Sequence, residues 1–157
     1  MANFKTNAMR ILESAKIEYE VYTYESGGDF DGTSVANKIG KEPERVFKTL
    51  VTVAASKNYY VFVIPVISEL DLKAAAKSVG EKSVEMIAVK EINKVTGYIR
   101  GGCSPIGMKK QYVTVIDSSS LEYDAIIFSA GKIGYQVEVN PHKLLSLIGG
   151  KTENIIR

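Results

Sequence analysis

The stretch TLVTVAASKNYYVFVIPVI, residues 49–67, decides the fold of this 157-residue chain. Its two runs, residues 49–55 and 59–67, are rich in β-branched and aromatic residues, which favour strands. Between the runs lie only the polar residues Ser56, Lys57 and Asn58. A connection of this length and composition predicts that the two runs form a β-hairpin.

On both sides of this hairpin, the spacing of apolar residues switches between helical and extended periods. Apolar residues recur at helical spacing over residues 4–15, and alternation over residues 17–24 predicts a strand. A glycine- and aspartate-rich loop covers residues 26–32, and Thr33 is a suitable N-cap for the next helix. Further helices are predicted over residues 33–40, 70–79, 90–95 and 140–148, a turn at Pro43, and further strands over residues 84–88, 112–116, 125–129 and 135–139.

About six or seven strands and four or five short helices must therefore share one core. The helices are too few and too unevenly placed for a doubly wound sheet. We therefore predict a single-domain α+β fold with a largely antiparallel or mixed sheet. The residues after the last predicted helix are expected to fray.

Composition and charge exclude several classes of protein. The hydrophobic residues make up 45% and the charged residues 24% of the chain, as in ordinary globular domains. A formal net charge of +2 argues against a protein that is held to duplex DNA mainly by phosphate contacts. Residues 1–10 lack the apolar region of a signal peptide, and the apolar run 59–67 is far shorter than the roughly 20 residues of a membrane span. We therefore expect a cytoplasmic protein with no DNA or membrane partner.

The chain has one cysteine, Cys103, and one histidine, His142. It can form no intramolecular disulfide, and these two residues are too few for a zinc site. We expect no metal and no cofactor, although a site built from Asp and Glu alone stays open. A Cys103 or serine nucleophile would need His142 as its base, and His142 falls at the start of a predicted helix. The sequence therefore disfavours a nucleophile and base supplied by the protein.

Two local features are candidates for chemistry. The glycine loop, GGCSPIG at residues 101–107, has closely spaced glycines whose N–H groups can bind an oxyanion or a phosphate. A tight connection between a helix and a strand explains this loop equally well, and the loop lacks the Lys-Ser/Thr end of a P-loop. Lys48 lies among apolar neighbours, so its ammonium must find an anion, shift its pKa downward, or extend to water.

A series of short segments spans nearly the whole chain. The segments are VFKTLV (residues 46–51), residues 66–73 with LDLK, VEM (84–86), TGY (96–98), the glycine loop, and SAG (129–131). Together and in this order they resemble the YbaK/EbsC family, which is related to the editing domain of bacterial prolyl-tRNA synthetases. The resemblance implies one editing domain over residues 1–157, with a mixed, barrel-like sheet flanked by helices.

The resemblance also implies an activity, the trans-editing of Cys-tRNA(Pro). In the family mechanism, the thiol of the mischarged cysteine attacks its own ester carbonyl, forms a thiolactone and frees the tRNA. This suits a chain with so few nucleophiles. The implied partners are proline tRNA and prolyl-tRNA synthetase. Alternatives are a deacylase for another mischarged tRNA such as Ala-tRNA(Pro), and a non-catalytic module that binds tRNA or a synthetase; a cell-surface role, suggested by the EbsC name, is disfavoured by the absence of a signal.

Residue by residue, the resemblance places the family's essential lysine at Lys48, with an electrostatic role. A substrate-binding tyrosine falls on Tyr24, or less securely on Tyr22, and an acidic residue of some members is replaced by Gln136. The other implied substrate-binding residues are Thr49, Gly101, Gly102, Ser104, Pro105, Gly107, Ser129 and Gly131. Candidates for the tRNA backbone are Lys73, Lys77, Lys109 and Lys110, which are otherwise solvated surface lysines.

Overall fold

The structure is a computed structural model that describes residues 4–25 and 32–157. The helices of these residues are α1 (Asn7–Ser14), α2 (Gly32–Ile39), α3 (Leu72–Ser78), α4 (Ile92–Thr96) and α5 (Pro141–Ile148). The strands are β1 (Glu20–Thr23), β2 (Phe47–Ala54), β3 (Tyr59–Pro65), β4 (Val84–Met86), β5 (Val113–Asp117), β6 (Ile126–Lys132), β7 (Tyr135–Val139) and β8 (Lys151–Glu153). Short 3-10 helices cover Pro43–Arg45, Val89–Glu91 and Ser118–Glu122.

The central hairpin is confirmed. Strands β2 and β3 pair antiparallel, from Phe47 opposite Pro65 to Val53 opposite Tyr59. They form the middle of a five-stranded sheet of order β4-β2-β3-β5-β8, in which β5 is parallel to both β3 and β8. The sheet is therefore mixed, as the sequence predicts.

The remaining strands form a second, antiparallel sheet of order β1-β7-β6. A parallel bridge between Val46 and Ile127 joins the two sheets. Within the described residues the sheets are not closed into a barrel, so the barrel-like arrangement implied by the resemblance is not confirmed. The α+β class with a mixed sheet is confirmed.

Alternation along β6 and β7 gives the second sheet two different faces. Phe128 and Val137 point into the main core, where they are fully buried together with Leu12 of α1. Ser129 and Gln136 lie directly opposite each other and, by alternation, point to the other face. This face is the one that meets the candidate site. A second core, formed by Phe62, Ile64, Ala75, Ala76 and neighbouring residues, packs α3 against the larger sheet.

The C-terminal residues do not fray as expected. Strand β8 pairs with β5, and the buried Ile155 donates its N–H to Asp117 Oδ1 at 3.0 Å and accepts from Asp71 N at 2.8 Å. A three-residue strand is too short for alternation to reveal, which is why the sequence missed it. Thr33 lies inside α2, which begins at Gly32, so the prediction of Thr33 as N-cap is wrong. The predicted loop at residues 26–32 falls largely outside the described residues.

The described helices are all too short to cross a membrane. Asn140, by contrast with Thr33, caps its helix as predicted, since its Oδ1 accepts a hydrogen bond from Lys143 N at 3.1 Å. Helix α5 thus begins at Pro141 and places His142 in an exposed first turn.

Candidate active site

A cavity of about 630 Å³ is lined by residues of both sheets and of the glycine loop. Its volume lies in the range typical of small-molecule sites. Among the predicted site residues it brings together Lys48, Thr49, Gly101 and Ser129. Gln136 and Cys103 also line it. Residues about fifty and eighty positions apart in sequence therefore meet at one place.

The cavity follows an open edge of β2. Six consecutive residues, 46–51, line it. Because successive side chains of a strand point to opposite faces, such a run can line one cavity only along the strand's edge. Strand β4 pairs with β2 only over residues 52–54, and within the described residues no other strand pairs with this edge over residues 47–51. Val51 O accepts from Ile87 N at 3.2 Å. Between Phe47 and Val51, the backbone groups of β2 that point away from β3 are therefore available to a ligand.

Lys48, the second residue of β2, supplies a positive charge to this cavity. Its side chain is half-buried, and this burial lowers the pKa of its ammonium, while the carboxylate of Glu69 opposes the shift. Among the described residues no carboxylate forms an ion pair with Lys48, and Glu69, whose charge acts on it from a distance, pairs with Arg157. The Lys48 charge is thus left for an anionic or partly negative group of a ligand.

The glycine loop is held in shape by close backbone packing. Gly102 N donates to Ile99 O at 2.9 Å, and a Cβ at Gly102 would lie 3.2 Å from Ile133 N. Ser104 and Pro105 are buried, and Ser104 Oγ accepts from Ile106 N at 3.2 Å. Among the loop residues only Gly101 and Cys103 line the cavity. Ser104 and Pro105 therefore lie on the side of the loop away from the cavity and contribute to its conformation, not to the cavity lining.

Tyr98 positions this loop, and sequence reasoning gave it no role. Its hydroxyl donates to Ile106 O. Its ring packs closely against Gly131, so that a Cβ added at Gly131 would lie only 2.9 Å from Tyr98 Cε1. A Cβ at Gly107 would likewise lie 2.9 Å from the Tyr98 hydroxyl. Burial raises the pKa of Tyr98 to about 12, so the phenol stays protonated as a donor. The only signal in the sequence was its place in TGY, directly before the loop.

The second sheet contributes neutral polar groups to the cavity. Ser129 Oγ accepts from Gly131 N at 3.0 Å, and this hydrogen bond stabilises the C-terminal end of β6. Gln136 is only 5% exposed, and its side-chain amide has no hydrogen-bonding partner among the described residues. The acidic residue on the same face of β7 is Glu138, two positions further on. Its carboxylate forms an ion pair with Arg45 and accepts from the Tyr22 hydroxyl at 2.6 Å, so it is neutralised within the fold.

Tyr24 does not line the cavity among the described residues. Its hydroxyl is buried without a hydrogen-bonding partner in this part of the chain, and its backbone N donates to Gly134 O at 3.0 Å. Only Glu25 separates it from the undescribed residues 26–31, and its substrate-binding role stays a prediction. The Tyr22 hydroxyl, the alternative, is already bonded to Glu138.

The four candidate tRNA-binding lysines are exposed and lie outside the cavity lining. Lys73 and Lys77 are one turn apart on α3. Lys109 donates to Lys94 O at 3.3 Å, and the Lys110 ammonium lies 5.9 Å from the ring centroid of Tyr112. Their role in tRNA binding stays a prediction.

Cys103 and His142 belong to different places in the fold. Cys103 lines the main cavity, where burial raises the pKa of its thiol to about 11. It is therefore a neutral thiol near pH 7. His142 lines a separate surface cavity of about 470 Å³ with Lys16, Ser146 and Leu147. His142 thus cannot serve as the base for Cys103, and the described residues hold no cluster of three potential metal ligands from His, Cys, Asp and Glu.

Comparisons with known proteins point to one family. Residues 31–147 match the family model of the aminoacyl-tRNA editing domain. The chain is 49% identical over 152 residues to EbsC of Enterococcus faecalis, named as a candidate Cys-tRNA(Pro)/Cys-tRNA(Cys) deacylase, covering 96% of this chain and 93% of that protein.

Solved structures share the fold. A hypothetical protein, APE2540, matches with a TM-score of 0.86 at 19% identity, over 94% of this chain and 97% of that chain. A candidate trans-editing enzyme for prolyl-tRNA synthetase matches with a TM-score of 0.81 at 22% identity, over 98% of this chain and 99% of that chain. At these identities the two structures establish the α+β arrangement alone.

Proposed function

Because the chain belongs to the aminoacyl-tRNA editing family, we propose that it is a trans-editing deacylase that removes cysteine mischarged on proline tRNA. In this proposal residues 1–157 act as one editing domain. The observation that carries the proposal is the cavity along the open edge of β2, which Lys48 lines together with Gly101 and Cys103 of the glycine loop. Such a site binds and polarises an ester without supplying a nucleophile.

The reaction proceeds within the substrate. The cysteine sulfur attacks the carbonyl carbon of its own ester, and a C–S bond forms while the carbonyl oxygen becomes an oxyanion. Collapse of this intermediate breaks the C–O bond to the ribose, whose oxygen takes up the proton lost by the thiol. The products are a thiolactone, which water then hydrolyses to cysteine, and free tRNA. Holding the thiol and the carbonyl in one conformation accounts for much of the acceleration.

The cavity stabilises the negative charge that develops in this reaction. Its charged lining residues among those described are both cations, Lys48 and Arg100. Lys48, a half-buried residue of β2, acts on the oxyanion, and N–H groups of the glycine loop act as further donors. Preorganised donors of this kind are worth more in a site with little water.

The test is a deacylation panel with purified Cys-tRNA(Pro), Cys-tRNA(Cys), Ser-tRNA(Pro) and Ala-tRNA(Pro). We expect turnover of the cysteinyl esters and at least ~100-fold slower turnover of the seryl and alanyl esters, because only cysteine carries the thiol. Equal turnover of Ala-tRNA(Pro) would contradict the substrate-thiol mechanism. Binding of tRNA without turnover of any ester would instead favour a non-catalytic module.

Cys103→Ala is the matched control in the same panel. Because the Cys103 thiol is partly buried and neutral, we expect its removal to change kcat for Cys-tRNA(Pro) by less than about twofold. A large loss of activity in a folded Cys103→Ala protein would show that the protein supplies the nucleophile.

Replacing Thr49 by valine should increase the stability of the protein and weaken its activity. Thr49 lines the cavity, and its Oγ1 is buried without a hydrogen-bonding partner among the described residues. A buried unsatisfied hydroxyl costs roughly 1–3 kcal/mol, so Thr49→Val should raise the free energy of unfolding toward that amount. The same change should raise KM for Cys-tRNA(Pro), because the hydroxyl is free to bond the substrate. Urea denaturation and steady-state kinetics measure the two effects, and Thr114→Val, whose hydroxyl donates to Tyr112 O at 2.9 Å, should instead lose stability.

In this proposal a partner protein, and not this chain, selects proline tRNA. A formal charge of +2 gives the chain little general affinity for a polyanion, so tRNA binding should be weak and sensitive to salt. Lys73, Lys77, Lys109 and Lys110 contribute backbone contacts, and prolyl-tRNA synthetase supplies the tRNA identity.

A further inference from the structure

Large apolar side chains are exposed at the mouth of the cavity. Met86 and Val89 line the cavity and are 47% and 55% exposed. Ile99, which directly precedes the cavity-lining Arg100, is 58% exposed. Scattered apolar residues on a surface need no explanation, but several around the opening of one cavity indicate a binding surface.

Arg100 adds an unpaired positive charge to the same mouth. It lines the cavity, it is exposed, and none of the described residues forms an ion pair or side-chain hydrogen bond with it. Arg45 and Arg157, in contrast, form ion pairs with the carboxylates of Glu138 and Glu69, respectively. An unpaired guanidinium beside an apolar surface suits a group that carries both a flat ring and a phosphate.

The proposed reaction determines which group must pass through this mouth. The inference rests on the proposed function. If the ester carbonyl lies at Lys48, the alcohol side of the ester extends from the cavity toward its mouth. That alcohol is the ribose of the 3′-terminal adenosine, whose 5′ oxygen carries a phosphate. Its base offers an apolar face and its phosphate offers the anion that Arg100 lacks. No carboxylate among the described lining residues repels this phosphate.

We propose that Met86, Val89 and Arg100 bind the 3′-terminal adenosine nucleotide of the tRNA, with the base against Met86 and Val89 and the phosphate on Arg100. This mouth then recognises the end common to all tRNAs, while the inner cavity recognises the amino acid. The contact supplies affinity and holds the ester at Lys48, and it carries no information about tRNA identity.

The first experiment measures binding without chemistry. The probe is the trinucleotide CCA with a 5′ phosphate, titrated calorimetrically into wild type, Arg100→Gln and Met86→Ser/Val89→Ser. We expect Arg100→Gln to weaken binding about tenfold and to reduce the salt slope by about 0.7, the value for one phosphate contact to a single strand. We expect Arg100→Lys to restore part of the affinity. Arg10→Gln, which removes an exposed arginine of α1 outside the cavity lining, is the matched control and should bind as wild type.

The second experiment compares two cysteine esters. For Arg100→Gln, the loss of kcat/KM on Cys-tRNA(Pro) should exceed the loss on cysteine ethyl ester at least tenfold, and should lie mainly in KM. Trinucleotide binding that does not depend on Arg100, or a dimer that Met86→Ser/Val89→Ser dissociates, would overturn the inference. Arg100-dependent binding in a protein that deacylates nothing would support the inference and reject the proposed function.

Discussion

Lys48→Ala is expected to reduce kcat for deacylation of Cys-tRNA(Pro) by roughly 10²–10³-fold, the usual cost of removing one group that stabilises an oxyanion. Lys48 is placed for this role because it lies in the cavity, half-buried, with no carboxylate of the described chain paired to it. Single-turnover kinetics on purified Cys-tRNA(Pro) measures the effect on the chemical step. Near-normal turnover by Lys48→Ala would reject the assignment.

The same residue should not stabilise the fold. Burial lowers the pKa of Lys48 in the folded protein below the value of about 10.4 for an unperturbed lysine. At neutral pH the lysine is charged in the unfolded chain, and its burial in the charged form costs folding free energy. That cost is full below the lowered pKa of the folded state, falls as the pH rises above it, and is gone once the pH exceeds the unfolded value of about 10.4. Lys48→Met should therefore keep or raise the free energy of unfolding at pH 7.

Loss of activity without loss of stability separates chemistry from folding. Lys82→Met is the matched control, because Lys82 is exposed and lies outside the cavity lining. It should retain wild-type turnover and wild-type stability. If Lys48→Met unfolded at a lower urea concentration than Lys82→Met, the lysine would have a structural role that the fold does not show.

The parts of the fold that the sequence predicts are those written in contiguous residues. The hairpin of β2 and β3 rests on two neighbouring runs, and the cap at Asn140 lies next to the helix that it begins. Strand β8 was missed because three residues carry no period, and it is held by pairing with β5. Ile155, just beyond it, is held by Asp117 and Asp71, which are distant in sequence.

The features of the site likewise divide into those that local sequence predicts and those that depend on contacts between distant residues. Residue types alone mark Lys48 and the glycine loop as candidates, but nothing in local sequence brings them to one cavity, and the family resemblance supplied that link. The role of Tyr98 was missed because it depends on Gly131, more than thirty positions away, which only the folded chain brings to its ring. The carboxylate of Glu138 shows the same limit, since its neutralisation by Arg45 joins two distant segments.

Gly131→Ala is expected to have the largest effect on stability, because two separate costs meet at this position. Its φ is +97°, in the left-handed region that costs an L residue about 1–2 kcal/mol. Its new Cβ would lie 2.9 Å from Tyr98 Cε1, and overpacking of this kind costs roughly 1–3 kcal/mol. Urea denaturation should show a loss of roughly 2–5 kcal/mol from the two costs together.

Two variants separate the costs. Gly149→Ala also introduces a side chain at positive φ, +62°, but nothing lies within 4 Å of its Cβ, so it should cost the backbone strain alone. In a Tyr98→Ala background the clash is removed, and Gly131→Ala should then cost about as little as Gly149→Ala. An equal cost of Gly131→Ala with and without the tyrosine ring would contradict the proposed contact.

The activity of Gly131→Ala then shows what the contact is for. Tyr98 holds the glycine loop through its hydrogen bond to Ile106 O and its close approach to Gly107. A ring displaced by the new methyl group must move that loop, whose Gly101 and Cys103 line the cavity. Deacylation by Gly131→Ala should therefore fall even at temperatures where the protein is fully folded. The glycine loop, which lines the cavity together with Lys48, would then depend for its shape on the packing of Tyr98 against Gly107 and Gly131, and its own sequence would not be sufficient to set that shape.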